Sequence, residues 1–534
     1  MSVPPDRLVP GASPESSLVS SPDAVSRPPR TDRVVFGVAA GLVLAIVLWG
    51  LLDTGSFDRI TADVLDWIVV ELGWLYVLAA SAFVFFVLWL ALSKYGRIPL
   101  GQDGEKPEFR TVSWIAMMFS AGMGIGLMFF GVGEPLSHYV DEPPGTVGGT
   151  GVAMATAMFH WGLHPWAIYA VVGLAIAYGT FRRGRRQLIS AAFIPLLGRR
   201  AEGPIGKFID ILALFATLFG TAASLGLGAL QIGSGFEING WLETAGVALL
   251  VGIVAILTLA FIGSAVSGVA KGIQWLSNIN MVLAVILALF VFVFGPTVFI
   301  LNLIPTTLGA YASDFAQMSA RTAASNGPAG EWLSSWTIFY WAWWVSWAPF
   351  VGMFLARISR GRTIRQFVVG VMLVPSLVSL LWFAIFGGAA IRQQEDGFDL
   401  AGAENVEGQL FGMLGNLPLV GVSTVVVMLL VSIFFVSGAD AASMVMGSLT
   451  QRGTLRPSPW IVVFWGALTG GVAALLLWTG GSDALNALQT MTIIAAVPFV
   501  VVMIGLCVCL YRDLSTDPLI TGTRRPRRTL YQVK

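Results

Sequence analysis

The sequence predicts an all-α protein that crosses a lipid bilayer many times, and three observations carry that reading. Of its 534 residues 56% are hydrophobic and only 11% charged, with a mean hydropathy of +0.78. Soluble domains average about 25% charged residues, and a water-facing shell cannot be built from less than half of that. Apolar runs of roughly 20 residues, the length that crosses a ~30 Å hydrocarbon core, recur about twelve times. Basic residues also concentrate in alternate connections, as expected where moving them across the bilayer is disfavoured.

The first segment, 1–33, is polar and Pro/Ser-rich, lacks the apolar core of a cleavable signal peptide, and is expected to be a disordered cytoplasmic tail. Two transmembrane helices occupy 34–93, near 34–53 and 66–93. Five spans lie within 111–303, near 111–133, 150–179, 206–232, 243–264 and 276–303. After an external segment at 304–331, five more fill 332–510, near 332–357, 364–388, 416–448, 458–479 and 484–510. A basic cytoplasmic tail, 511–534, closes the chain.

Charge sets the topology. The first tail carries Arg27, Arg30 and Arg33, and the second connection Lys94, Arg97, Lys106 and Arg110. The fourth has Arg182, Arg183, Arg185, Arg186, Arg199 and Arg200, and the sixth Lys271. Arg357, Arg360, Arg362 and Arg365 follow in the eighth, Arg452 and Arg456 in the tenth, and Arg524, Arg525, Arg527 and Arg528 in the last tail. Odd connections are acidic: 53–65, 134–149 with Glu134, Asp141 and Glu142, and 389–415 with Glu395, Asp396, Asp399, Glu404 and Glu407. Arg59, Arg321 and Arg392 are exceptions. An even number of spans with both termini cytoplasmic explains the alternation. Within 304–331, Leu308, Tyr311, Phe315 and Met318 recur at three- and four-residue steps. That reads as an amphipathic helix along the outer surface, or as an ordinary exposed loop.

A repeat is visible in the letters. Ala222-Ala223-Ser224 with Gly228 and Leu230 returns 219 residues later as Ala441-Ala442-Ser443 with Gly447 and Leu449, and Ser113-Trp114 returns as Ser335-Trp336. These matches pair span three with eight and span five with ten. Two five-span halves (spans 3–7 and 8–12) follow, the second entering from the opposite side, which is the inverted-repeat design of secondary transporters.

Net charge, +1 from 31 Lys+Arg against 30 Asp+Glu, points to no nucleic-acid partner. Cys507 and Cys509, two apart in the last span, suit neither an ordinary disulfide nor a metal site. His160 and His164 lie one turn apart, but no third ligand appears at suitable spacing, so structural hydrogen bonding is expected of both. Asp440, deep in span ten, is the conspicuous intramembrane charge. It is a functional candidate or a structural partner of Arg357.

Glycine and aromatic residues carry the remaining chemistry. Gly122, Gly124 and Gly126 within five residues cost a helix about 2–3 kcal/mol relative to alanine. The run suits tight helix packing, or an unwound stretch whose amides face an anion and whose carbonyls face a cation. Span eight sets Trp341, Trp344 and Trp347 at three-residue steps, with Trp343 one turn from Trp347. Indole faces attract a desolvated organic cation by ~2 kcal/mol or more. In span four, Trp166 and Tyr169 lie about 140° and 80° around the helix from Trp161, on one broad face that Pro165 loosens. Aromatic recognition of a cation without a fixed carboxylate suits a zwitterion.

Together these segments resemble the betaine/carnitine/choline transporter family of secondary transporters. The matching stretches are Gly122 to Pro135 (GMGIGLMFFGVGEP), Phe159 to Tyr169 (FHWGLHPWAIY), Phe219 to Gln231 (FGTAASLGLGALQ), Tyr340 to Arg357 (YWAWWVSWAPFVGMFLAR) and Phe434 to Gly447 (FFVSGADAASMVMG). The likeness covers roughly 34–510 and leaves out the tails. It implies a leucine-transporter-type core of spans 3–12, a homotrimer in the cell membrane, and sodium-driven uptake of a trimethylammonium compound by alternating access. It places Trp161, Trp166, Tyr169 and Trp344 around the ammonium, the Gly122 and Gly124 amides on the carboxylate, and Trp343, Trp347 and Phe354 along the inward path. One sodium would be held by Ser120, Met123, Phe434, Ser437 and the position of Gly438, a second by Thr217 and Thr221 near Phe350.

Sodium-coupled members carry adjacent Thr and Ser where this chain has Ser437 and Gly438, so one hydroxyl is missing and the coupling stoichiometry stays open. The Gly126 position is an acid in choline-preferring relatives, so glycine implies a betaine-like zwitterion. Glycine betaine is therefore the expected solute and sodium the coupling ion, with no other cofactor. Ectoine, proline, carnitine or choline, proton coupling or exchange are the alternatives. A channel lacks a filter-like motif, and an enzyme lacks a Ser/His/Asp set or metal cluster.

Overall fold

The computed structural model describes residues 30–522 apart from 123, 268–269, 326–328 and 404. The basic cluster of the last tail and most of the first tail lie outside the described residues. Helix α1 (Arg33–Leu52) starts where the Asp32 carboxylate accepts the Val34 and Val35 N–H groups. Only Asp53 separates it from α2 (Thr54–Leu92), which Asp53 caps through the Ser56 N–H at 3.1 Å. The acidic stretch 53–65, expected as a loop, is thus the opening of α2, because an N-cap fixes a helix start regardless of hydropathy.

Two expected spans are broken in mid-course. The third divides into α3 (Thr111–Gly122) and α4 (Ile125–Val140), the fourth into α5 (Thr150–Trp161) and α6 (Leu163–Ala177). Two single-turn helices, α7 (Ile189–Ala192) and α8 (Ile194–Leu197), then lead to α9 (Pro204–Ile238), α10 (Val247–Ser267) and α11 (Ala270–Phe294). Gly295-Pro296 ends α11 earlier than the expected 303, and the chain turns by 109° into α12 (Thr297–Ser319). Helix α12 takes up the first half of the segment expected at 304–331 and starts sooner, directly after the Gly295-Pro296 turn. Short α13 (Ala329–Leu333) passes through a π-helical turn, Ser334–Ile338, into α14 (Phe339–Ile358). The rest comprises α15 (Ile364–Glu395), α16 (Val406–Gly415), α17 (Val420–Thr450), α18 (Pro459–Gly480), α19 (Ala484–Ser515) and α20 (Pro518–Thr521).

Among the described residues ten helices are long and apolar enough to cross a membrane, or up to eleven if the bent α11–α12 pair is one span. The expected third span falls outside that count because the glycine run cuts it into pieces of 12 and 16 residues. Helices α14 and α19 pack on each other, and both pack on α6 and on α9.

Polar contacts sort the connections onto two ends. Arg182 meets Asp103 and Asp517, Arg360 meets Glu105, and Lys207 meets Asp32, whose N–H reaches the Thr450 carbonyl. Asp32, Asp517 and the connections that carry Asp103, Glu105, Arg182 and Arg360 therefore gather at one end of the bundle. At the other, Tyr139 meets Glu395 and Gln317 meets the Gly145 carbonyl.

Candidate binding site

Residues at both helix breaks, Gly124 and Trp161, border one cavity. Gly124 lies in extended backbone and caps α4 without a side-chain partner, leaving the first amides of that helix outside its own hydrogen-bond ladder. Gly162 separates α5 from α6, and a Cβ there would stand 2.5 Å from the Met158 carbonyl oxygen. The break expected at Pro165 thus occurs three residues earlier. Proline fits the first turn of α6, where its missing N–H has no intrahelical acceptor to lose.

Between the breaks and α14 lies a cavity of about 50 Å³. Its walls include Gly124, Gly126, Trp161, Trp166, Tyr169, Trp343, Trp344 and Trp347, with Ser379 from α15. Since roughly 10–15 Å³ of such space holds one water, the cavity takes a small solute only. The rings alternate in orientation. Trp161 stands at 74° to Trp344 with centroids 4.8 Å apart, Tyr169 at 79° to Trp344, and Trp166 at 78° to Tyr169. Trp343 stacks on Trp344 at 4.9 Å and 11°. Indole N–H groups are tied down outside the cavity: Trp344 donates to the His160 carbonyl at 2.9 Å, Trp343 to Ser224 Oγ at 3.1 Å and Trp347 to the Gly220 carbonyl at 3.1 Å. Pairs at 4.5–7 Å in edge-to-face geometry hold each other rigidly, so the π faces are fixed before anything binds.

Five of the six residues expected at the substrate, Trp161, Trp166, Tyr169, Trp344 and Gly124, line this cavity. Gly122 is described only as the last residue of α3. Trp343 and Trp347 of the expected path are walls of the same cavity, whereas Phe354 is partly buried farther along α14 and is not. Trp341 also departs from the expected stripe: it packs on His164 at 4.9 Å, away from the cavity. A three-residue step falls about 60° short of a full turn, so three tryptophans at that spacing fan over about 120°.

The ion-site residues divide likewise. Met123 lies outside the described residues, and Ser120 is described only as backbone of α3. Thr217 and Thr221, both buried on α9, donate their hydroxyls to the carbonyls four residues back at 2.8 and 2.7 Å, which leaves the oxygen lone pairs free. Trp347 and Phe350, 5.6 Å apart, sit beside that turn through the Trp347–Gly220 bond. Gly220 permits the approach, since a Cβ there would lie 1.9 Å from Ser346 Oγ. On α17, Ser437 Oγ donates to the Ile433 carbonyl at 2.8 Å, Phe434 is half-buried, and a Cβ at Gly438 would meet nothing within 4 Å. Asp440 is part-exposed on the same helix, and no ion pair joins it to Arg357 among the described residues.

Sequence reasoning missed two residues. Ser379, the aliphatic hydroxyl among the cavity walls, sat in a long apolar run with only the nearby Pro375 to mark it. Glu134, read as part of an outer loop, is fully buried within α4. Its carboxylate accepts the Trp161 indole N–H and the Tyr340 hydroxyl at 2.6 Å each, and His160 Nδ1 lies 2.6 Å away. His160 Nε2 in turn meets the Thr337 hydroxyl at 2.9 Å. His160 thus finds Glu134 and His138, not His164, and the three side chains' ligand-capable atoms lie within 4.8 Å of one another. The third partner that spacing along one helix could not supply comes from another. His164 instead lies 3.4 Å from Ser81 Oγ.

A multi-helix membrane protein with a small aromatic cavity between two broken helices has the form of a solute transporter. Residues 34–519 match the family model described as BCCT, betaine/carnitine/choline family transporter. The chain is 47% identical to the betaine/ectoine transporter LcoP of Corynebacterium glutamicum over 91% of its length and 78% of the relative's. It is 45% identical to the glycine betaine transporter OpuD of Bacillus subtilis, covering 90% of this chain and 94% of that one. Glycine betaine transporter 1 of Vibrio parahaemolyticus is 39% identical over the same shares. The chain belongs to the betaine/carnitine/choline transporter family: it is a multi-pass membrane transporter of the betaine type, not an enzyme.

Proposed function

We propose that this protein imports glycine betaine, a zwitterionic compatible solute, by sodium-coupled alternating access. The observation that carries the reading is a small cavity walled by aromatic rings, several of them edge to face, with no charged side chain among its described walls. Trp161, Trp166, Tyr169 and Trp344 bind the trimethylammonium by their π faces. The amides at the Gly122–Gly124 break receive the carboxylate at the positive end of α4. Trp343, Trp347 and Phe354 line the way inward. Sodium binds at the α3/α17 site of Ser120, Met123, Phe434, Ser437 and Gly438, and at the Thr217–Thr221 turn beside Phe350.

In this reading the chain has twelve spans, counting the broken α3–α4 pair. Spans 3–7 and 8–12 are inverted repeats, the two chain ends are cytoplasmic, and three copies assemble in the cell membrane. The arginines at the end of the bundle that holds Asp32 and Asp517 favour that orientation.

Uptake of labelled betaine into proteoliposomes, with and without an inward sodium gradient, tests the proposal. Accumulation that requires the gradient supports it. Betaine uptake that ignores the gradient removes the coupling ion, and uptake blocked better by ectoine, proline or carnitine than by betaine reassigns the solute. Ectoine is the specific rival, being part of the Corynebacterium relative's name.

A further inference from the structure

Glu134 touches no cavity wall space, yet it is bonded to the cage. One carboxylate oxygen receives both the Trp161 N–H and the Tyr340 hydroxyl at 2.6 Å; the other faces His160 Nδ1 at 2.6 Å and His138 Nε2 at 3.4 Å. The residue is wholly buried. A short bond to a wholly buried carboxyl group, away from competing water, holds the Trp161 ring from behind in one rotation. Trp344, perpendicular to it, hangs on the carbonyl of His160. Both indoles that meet at right angles are thus set by one carboxylate and its histidine.

We propose that Glu134 is a positioning residue that tunes the cage for a cationic head group through the Trp161 N–H. This rests on the quaternary-ammonium reading above. An indole that donates to a carboxyl oxygen, itself also accepting from Tyr340, is polarised along its N–H bond, as any member of a hydrogen-bond chain is. Electron density moves toward the ring, and the π face gains negative potential where the ammonium sits. In a dry interior little screening weakens that effect. The carboxylate therefore strengthens cation binding without meeting the cation, and leaves the cavity wall neutral.

The test separates charge from shape. Purified protein is equilibrated with labelled betaine, and the affinity is compared with that for 3,3-dimethylbutyrate, which carries a tert-butyl group in place of trimethylammonium. Wild-type protein prefers betaine, and Glu134→Gln, which keeps the side-chain shape, cuts that preference about three- to tenfold, the worth of a weakened cation–π contact. Equal weakening of both ligands, or an unchanged preference, overturns the proposal. If Glu134→Gln does not accumulate, Trp161→Phe is compared with Trp166→Phe. The former removes the N–H that reaches Glu134, so it costs more of the preference, and equal losses overturn the proposal. A wild-type protein without any preference for betaine instead overturns the quaternary-ammonium reading on which it rests.

Discussion

Trp161 and Trp344 come from helices more than 180 residues apart in sequence, yet their rings meet at 74° with 4.8 Å between centroids. The backbone break at Gly162 and the Trp344–His160 bond produce that corner. A corner of two π faces surrounds a round cation better than a flat stack does.

Removing one face of the corner weakens binding. Trp344→Leu is expected to cost ~1–2 kcal/mol of betaine affinity, between the worth of an exposed and of a fully desolvated cation–π contact. A titration followed by tryptophan fluorescence in purified protein checks this. An unchanged dissociation constant removes Trp344 from the binding surface.

Gly126 is a spacer for the cage. A Cβ there would lie 2.6 Å from Trp343 and 2.7 Å from Trp161, so Gly126→Ala must push the rings apart. Overpacking of this kind costs typically 1–3 kcal/mol. Betaine affinity is expected to fall by about tenfold with protein yield retained. Affinity equal to wild type would show that the rings move freely.

Gly438 behaves in the opposite way. The space beside it is open, so Gly438→Ser introduces a hydroxyl without a clash. Sodium binds through oxygen ligands that replace its hydration shell, and the variant is expected to need severalfold less sodium for half-maximal betaine uptake. Sodium dependence that does not move separates Gly438 from the ion path.

Asp517 tests the clasp with Arg182 and Tyr178 at one end of the bundle. Burial pushes its carboxyl up, but hydrogen bonds from Arg182, the Leu519 N–H and the Tyr178 hydroxyl, with the charge of Arg182, hold it below the ordinary 3.8. A depressed carboxyl stabilises the fold fully above its unfolded value. That stability is lost only as pH falls through the lower folded value. Asp517→Asn is therefore expected to cost about 1.5–3 kcal/mol at pH 7, since the buried Arg182 loses its two-toothed carboxylate partner and keeps only the Asp103 carboxylate. Thermal unfolding monitored by size-exclusion should show a gap that is flat from pH 5 to 8 and shrinks below about pH 4.

Much of this was legible in the letters because the bilayer imposes long-range rules. Hydropathy and alternating arginines located the helices, and the glycines at 122–126 marked the α3–α4 break. The tryptophans were legible as a cluster, but not in direction: Trp343 faces the cavity and Trp341 does not. Periodicity fixes relative angle on one helix and says nothing about which neighbour lies there. Glu134 was hidden for a related reason. A carboxylate at the end of an apolar run reads as a loop residue, unless one knows that Trp161 and Tyr340 from other helices will meet it.

The 109° elbow at Gly295-Pro296 has a mechanical consequence. Helix α12 leaves that elbow and packs against α5 and α15, each of which supplies a wall residue of the cavity, Trp161 and Ser379. It acts as a strut across them. Any cycle that shifts one against the other must either drag the strut along or flex the elbow, so stiffening that joint should slow turnover while leaving equilibrium occupancy of the cavity intact.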